Sequence, residues 1–459
     1  MLGMNYRKEK RGMSIKAIVL SILMLTFSAP LFGQGLFESA TSGSEESGGD
    51  ENLSYELNGF LRATMFTGKV PGENEFEMKS SYAEADLQLK VNKVGFGDAF
   101  AELSFRNGNE FDEEIENIDL KEAYINWYVG RFDFRVGHQI VVWGRADGFN
   151  PTDNITPKNM LVRSPDEDDR RLANFLVRTW YNMHPIRLEL IWIPNYAASV
   201  IPTDIIPMPS YIALNEAEYP DGNLDNSGLA IRVNFEKPSI DGSISYFNGY
   251  NPSPGLYLES LEYDSGNVIF NVEPKAYCMH VVGADFQTTI GSYGFRGEFA
   301  YRHPYEDYEL HDYVPYPDLQ YVLGFDKEFG PNTSLILQYM GRYVFDFEEL
   351  VESTEPMKIG SFRLADKNRL IAFQTEEITH SISFRPARTF MYETLTAEVL
   401  GMYNFTTEEM MLRPKISYDI TDDFTATIGG EIYSGPDESL YGSIDSYLSA
   451  AYFEIMVSF

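Results

Sequence analysis

From Leu53 onward the chain alternates apolar and polar residues with a period of two. Ala83, Ala85, Leu87, Leu89 and Val91 share one face of their segment, while Glu84, Asp86, Gln88 and Lys90 take the other. Ala99, Ala101, Leu103 and Phe105 oppose Asp98, Glu102, Ser104 and Arg106 in the same way. Ala123, Ile125, Trp127 and Val129 oppose Glu122, Tyr124, Asn126 and Tyr128, and Ile186, Leu188, Leu190 and Trp192 form a further apolar row. Successive side chains of a strand point to opposite faces, so this pattern predicts strands with one apolar side.

A soluble sandwich and a membrane barrel share that pattern. Link lengths separate them. Short links fall at Gly130, Met183–Pro185, Lys237–Ser239, Gly291–Ser292, Gly330–Asn332 and Thr421–Asp422. Long ones fall at Thr67–Lys79, Gly144–Asp169, Asn195–Asn226, Asn251–Pro274 and Asp346–Asn368. One link that should be long, Thr406–Thr407, is short. Short periplasmic turns alternating with longer external loops are the mark of an outer-membrane barrel. The prediction is an all-β, transmembrane antiparallel barrel of about 18 strands, within a range of 16–18. It starts near Leu53 and ends in Ser449–Phe459, where Ala451, Phe453, Ile455, Val457 and Phe459 alternate with Tyr452, Glu454, Met456 and Ser458. That ending resembles the C-terminal signal read by barrel-assembly machinery, with Phe459 as its terminal aromatic.

The preceding residues carry an address. Arg7, Lys8, Lys10, Arg11 and Lys16 form a basic n-region, and Ala17–Phe27 is apolar but too short to span a bilayer. Residues 1–33 therefore read as a secretory signal, 34–52 as a disordered periplasmic lead-in rich in Ser, Gly and Glu, and 53–459 as the barrel. The expected location is the outer membrane of a Gram-negative-type bacterium. The expected neighbours are outer-membrane lipid and lipopolysaccharide, with the assembly machinery during insertion.

Composition narrows the function. The formal net charge of −33 excludes a basic footprint for nucleic acid. The 30 Tyr and 32 Phe suit aromatic girdles at two membrane interfaces. Cys278, the one cysteine, excludes an internal disulfide and a multi-thiolate metal site. No cofactor or metal is expected. Of the six histidines, His138 falls on an apolar face, His184 sits in a tight turn, and His303 and His311 bracket an acidic, Tyr-rich external loop without metal-site spacing. No Ser–His pair can be placed, so an enzyme is not expected.

The segment Leu120–Asn159 holds Gly137, Gln139, Trp143, Gly144, Asp147, Asn150, Pro151, Asp153 and Pro157. It resembles a family of Gram-negative outer-membrane proteins of unassigned function, whose genes often accompany exporters of the resistance–nodulation–division superfamily. It is similar, more loosely, to phosphate-selective and alginate-export porins. The family pattern is Gly-x-Gln, then Trp-Gly, an Asp, and an Asn-Pro or Asp-x-x-x-Pro loop. His138 and Arg145 depart from it, standing where an Arg and an acid are commoner. The resemblance implies a porin-like barrel with a motif-bearing loop.

A long loop in a barrel of this width is a candidate constriction. The loop from Gly144 to Asp169 leaves a strand at Trp143 and has no expected structure of its own. Strand parity puts Arg135, Gln139 and Trp143 on the lumen side, with Arg178 on the next strand. Arg135 and Arg178 are expected to face Asp147 and Asp153 across an eyelet, with Arg145 and Asn150 nearby. The motif's other possible role is to lock the loop in place through turns, Asx bonds and ion pairs. The reading is a channel for passive or facilitated passage of small solutes. Two alternatives are a closed barrel serving an exporter of hydrophobic or lipid-like substrates, and a surface adhesin or envelope organiser.

Overall fold

The computed structural model describes residues 53–70, 75–111, 113–201, 211–264, 267–351 and 356–459. The expected signal (1–33) and lead-in (34–52) lie outside them. The described chain is a closed antiparallel barrel of 18 strands. Its first wall strands are β1 (Leu53–Lys69), β2 (Phe76–Lys93), β3 (Gly97–Glu110), β4 (Glu113–Val129) and β5 (Phe132–Gln139). Next come β6 (Asn174–Met183) and β7 (Ile186–Ile193), then β9 (Gly228–Lys237) and β10 (Ile240–Tyr250). The wall continues with β13 (Cys278–Ile290), β14 (Tyr293–Pro304), β15 (Asp318–Glu328) and β16 (Thr333–Val344). It ends with β17 (Ile378–Phe390), β18 (Leu395–Asn404), β19 (Glu409–Thr421), β20 (Phe424–Ser434) and β21 (Ala450–Ser458). β1 pairs with β2 on one side and with β21 on the other, so no wall edge stays open. Phe459 adds a reciprocal pair of backbone bonds with Gly59, each 3.0 Å.

The expected alternation of links holds, except that two links at the long-loop end, 111–112 and 405–408, are short. The turn end carries the two-residue connections 130–131, 184–185, 238–239, 291–292 and 422–423. The opposite end carries the long ones, which contain structure that was not expected. β8 (Ile212–Leu214), β11 (Gly255–Asp264) and β12 (Asn267–Lys275) form a small three-stranded sheet there. The helix α1 (Pro356–Ala372) packs against it, and a second helix, α2 (Leu440–Leu448), lies against the wall strands β19, β20 and β1. Leu256, Phe270, Val272 and Leu364 make a core between sheet and α1. Gly360 allows that approach, because a Cβ there would stand 1.8 Å from the Phe270 ring. The Asn368 amide then ties the helix to the hairpin, accepting the Leu256 N–H at 2.7 Å and donating to its carbonyl at 2.8 Å.

The outer face is apolar and uncovered. Ile244, Ile428 and Ile125 expose 61%, 58% and 53% of their surface, and Leu61, Val282 and Leu323 stand out beside them. In water so continuous a belt would be costly, whereas in lipid it is the solvated face. Aromatic pairs mark both rims. Trp127–Phe134, Tyr293–Phe325 and Phe295–Phe325 lie near the turn end. Tyr301–Phe345, Tyr343–Phe345 and Tyr403–Phe405 lie near the loop end. These are the interfacial girdles of a membrane barrel.

Candidate functional site

Strand β5 stops at Gln139, four residues before the expected exit at Trp143. From there the chain turns inward, and residues 140–173 fold inside the barrel. The cause lies in the hydrogen bonds. The Ile140 N–H goes to the Glu122 carboxylate at 2.7 Å, and the Val141 N–H to the Thr156 hydroxyl at 2.8 Å. That hydroxyl donates back to the Val141 carbonyl at 2.7 Å, so the loop pairs with itself rather than with the wall. Trp143 is buried with Val141, Ile155, Leu176, Ile191, Phe247, Met279 and Ala300, which lays the loop's first half along the inner wall. The Gln139 amide, fully buried, donates to the Leu176 carbonyl at 3.0 Å.

Glu298 of β14 holds the middle of the loop. Its Oε2 accepts the backbone N–H groups of Arg145 (3.0 Å) and Ala146 (3.2 Å). Its Oε1 accepts the N–H and the hydroxyl of Thr152, each at 2.8 Å. One carboxylate thus grips both necks of a tip that runs through Asp147, Asn150 and Pro151. Gly144 makes room for it: φ is +108° there, and a Cβ would meet the Glu298 carboxylate at 2.6 Å. Arg145 adds an ion pair to Asp285 at 2.5 Å, and Arg296 donates to the Arg145 carbonyl at 3.1 Å.

The returning half reaches the rest of the wall. Arg163, buried, pairs with Glu431 of β20 at 3.2 Å and donates to the Leu448 carbonyl at 2.9 Å. Its own carbonyl accepts from Arg106 of β3 at 2.7 Å. Glu167 pairs with Arg413 of β19. Asp169 pairs with Arg62 of β1 at 2.7 Å and lies 3.8 Å from Lys121 of β4. A short 3-10 turn, Glu167–Arg170, opened by the Asp166 side chain, sits where no structure was expected.

The expected eyelet pairs do not form. Arg135 and Arg178 do lie side by side on the inner wall, in register between β5 and β6. Arg178, however, pairs with Glu189 on the next strand at 2.5 Å. Arg135 donates to Asn126 at 2.8 Å and lies 3.9 Å over the Tyr124 ring. Wall neighbours therefore satisfy both arginines before the loop can. Asp147 instead pairs with Arg385 of β17, and Asp153 with Arg171 of its own loop at 2.8 Å. Asn150 is at the tip, between two cavities. Glu298, Asp285, Arg385 and Glu431 escaped sequence reading. Their inward parity was legible, but which of many inward charges meets the loop depends on closure of the wall.

Burial pushes the Asp169 carboxyl up, yet Arg62, the Ser164 hydroxyl and Lys121 together hold it below the ordinary aspartate value. A carboxyl whose folded value is depressed stabilises the fold above its ordinary titration range and loses that contribution as pH falls through the depressed value. We predict that the loop stays docked from pH 8 to about 5 and loosens below about pH 4. Protease nicking within residues 140–173, followed across pH with an acid-tolerant protease, checks this. Equal nicking at pH 3 and pH 6 would count against the role of Asp169.

No family model and no curated protein sequence matches the chain. Solved structures do. The outer membrane protein opdK of Pseudomonas aeruginosa aligns over 88% of this chain and 98% of its own, with 7% identity and a TM-score of 0.51. Acinetobacter baumannii OccAB2 aligns over 88% and 98%, with 10% identity and a TM-score of 0.50. OccAB4 of the same organism aligns over 89% and 98%, with 10% identity and a TM-score of 0.50. At such identities the likeness concerns the fold. The chain has the fold of an outer-membrane porin, an 18-stranded β-barrel turned apolar side out toward lipid.

Proposed function

We propose that the chain is an outer-membrane channel for small solutes, with the loop of residues 140–173 as its constriction. One observation carries this reading. The loop leaves β5, is held along the inner wall by Glu298 of β14, and reaches Arg385 of β17 on the opposite side of the ring, in a barrel whose strand number otherwise leaves an aqueous bore. Most charges of the wall and loop are paired, so the local field at the tip is set by few groups. Asp147 of the tip and Arg385 of the opposite wall are our candidate filter. Arg135, Arg178 and Trp180 line the wall below.

Single-channel conductance in a planar bilayer, under a salt gradient, tests the reading. Discrete open steps are expected. Asp147→Asn leaves Arg385 unpaired and shifts selectivity toward anions. A unit charge at 4 Å in water is worth about 1 kcal/mol, so the cation-to-anion permeability ratio falls on the order of fivefold before screening. Arg385→Ala shifts it the opposite way. Folded protein that never conducts would overturn the channel and favour the second reading, a closed barrel serving an exporter of hydrophobic or lipid-like substrates. The apolar cluster of Val322, Met340, Met402 and Met411 on the inner face supports that second reading.

A further inference from the structure

Between the loop tip and strands β15–β19, against α1 and α2, lies a cavity of about 290 Å³. Its apolar side is made by Phe149 of the tip, Val322, Met340 and Met402 of the wall, Leu370 of α1 and Leu440 of α2. A barrel lumen that only passes water and ions is polar. Here Val322 of β15, Met340 of β16 and Met402 of β18 are apolar inner positions, 2–9% exposed. The unbranched, polarisable thioethers of methionine fit apolar bodies of varied outline.

The polar side selects against charge. Two charged residues line the cavity, and both are committed. Arg342 donates to the carbonyls of Ala372 and Phe373, the latter at 2.6 Å, and lies 3.6 Å from Asp318. Glu409 accepts the Tyr441 N–H at 2.7 Å and the Thr407 hydroxyl at 2.5 Å. The free polar groups are neutral. The hydroxyls of Thr375, Thr379 and Ser381 line the cavity, and no hydrogen bond engages them among the described residues. Thr379 and Ser381 face inward beside Arg342 and Met340 in the register of β16 with β17.

We propose that this cavity binds an uncharged amphipathic solute: an apolar body of one or two rings, set against Met340, Met402 and Phe149, with a hydroxyl or amide reaching Thr379 and Ser381. An apolar lining with a few placed polar groups is the usual build of a small-molecule site, and the volume lies just under the usual range, which suits a small solute. The inference deepens the channel reading, on which it rests, by naming the solute class.

The test uses the full barrel in lipid nanodiscs, labelled with [methyl-¹³C]methionine and titrated with 4-hydroxybenzyl alcohol. The Met340 and Met402 methyl signals, assigned through Met340→Leu and Met402→Leu, are expected to shift and saturate. The lipid-facing Met65 and Met410 signals report partitioning into lipid and are expected to drift without saturating. Thr379→Val combined with Ser381→Ala removes both hydroxyl partners, and the loss of one hydrogen bond suffices to weaken binding about fivefold. Glycerol and benzoate, lacking the apolar body or carrying a charge, are expected to leave both signals in place. Conductance is recorded on the same preparation. Saturation together with conductance supports both readings, and saturation without conductance upholds the site while sinking the channel. Conductance without saturable shifts overturns the site alone. Equal saturation by benzoate overturns the uncharged class.

Discussion

Glu298→Ala is expected to release the tip of the inner loop and to give larger, noisier conductance steps from a barrel that still folds. The reasoning follows from what Glu298 satisfies. Three backbone N–H groups and one hydroxyl converge on its two oxygens. Alanine leaves those donors without their acceptor in a buried place, at about 1–3 kcal/mol for each that water fails to reach. The cost falls on the loop's docked position, because the ladder of β14 with β13 and β15 uses backbone groups that the substitution does not touch. Glu298→Gln retains one acceptor oxygen but turns an amide donor toward the loop's own donors. It is expected to lie between wild type and alanine. Conductance steps of unchanged size and noise in Glu298→Ala would mean that the loop is not the constriction.

The second large effect is at Glu431. This carboxylate is 1% exposed and faces three arginines. Arg413 donates to it, Arg163 stands 3.2 Å away and Arg170 3.8 Å. Removing one partner of a buried pair strands the other charge and typically costs about 3–5 kcal/mol. Glu431→Ala strands several at once, two of them on the returning half of the loop. We expect an earlier urea midpoint in tryptophan-fluorescence unfolding of the refolded barrel, together with lower refolding yield. A double variant, Glu431→Ala with Arg163→Met, removes the most deeply buried of the stranded charges and is expected to recover part of the loss. An unchanged midpoint in the single variant would show that water or counter-ions reach this corner.

Much of the barrel was legible in the chain, because each wall residue chooses between only two surroundings. Lipid and lumen differ in polarity, so Ala83 to Val91 or Ala99 to Phe105 announce their faces one residue at a time. Link lengths then gave the handing of the two ends. The tip of the inner loop was less legible. Asp147 and Arg385 are 238 positions apart, and Thr152 and Glu298 are 146 apart. No local pattern selects those partners, and Arg135 and Arg178 were instead taken by Asn126 and Glu189 on adjoining strands. The outer hairpin was readable in part. Leu256 and Leu258, and Phe270 and Val272, alternate as strand residues do, but their length and acidic flanks resemble a loop. For α2 the signal was Ser439, whose side chain accepts the Gly442 N–H and opens the helix.

The inner loop also bears on the order in which the molecule can be put together. Its returning half holds β20 through Arg163 and β1 through Asp169, and Arg62 on β1 in turn lies 3.9 Å from Glu454 on β21. These strands flank the seam where the first and last parts of the wall meet. The loop leaves and rejoins the wall at one mouth, Gln139 beside Asn174, so it can swing in from that end after the sheet has closed. Its ties to β20 and β1 then brace the seam from within, as a keystone set last holds the arch it did not build.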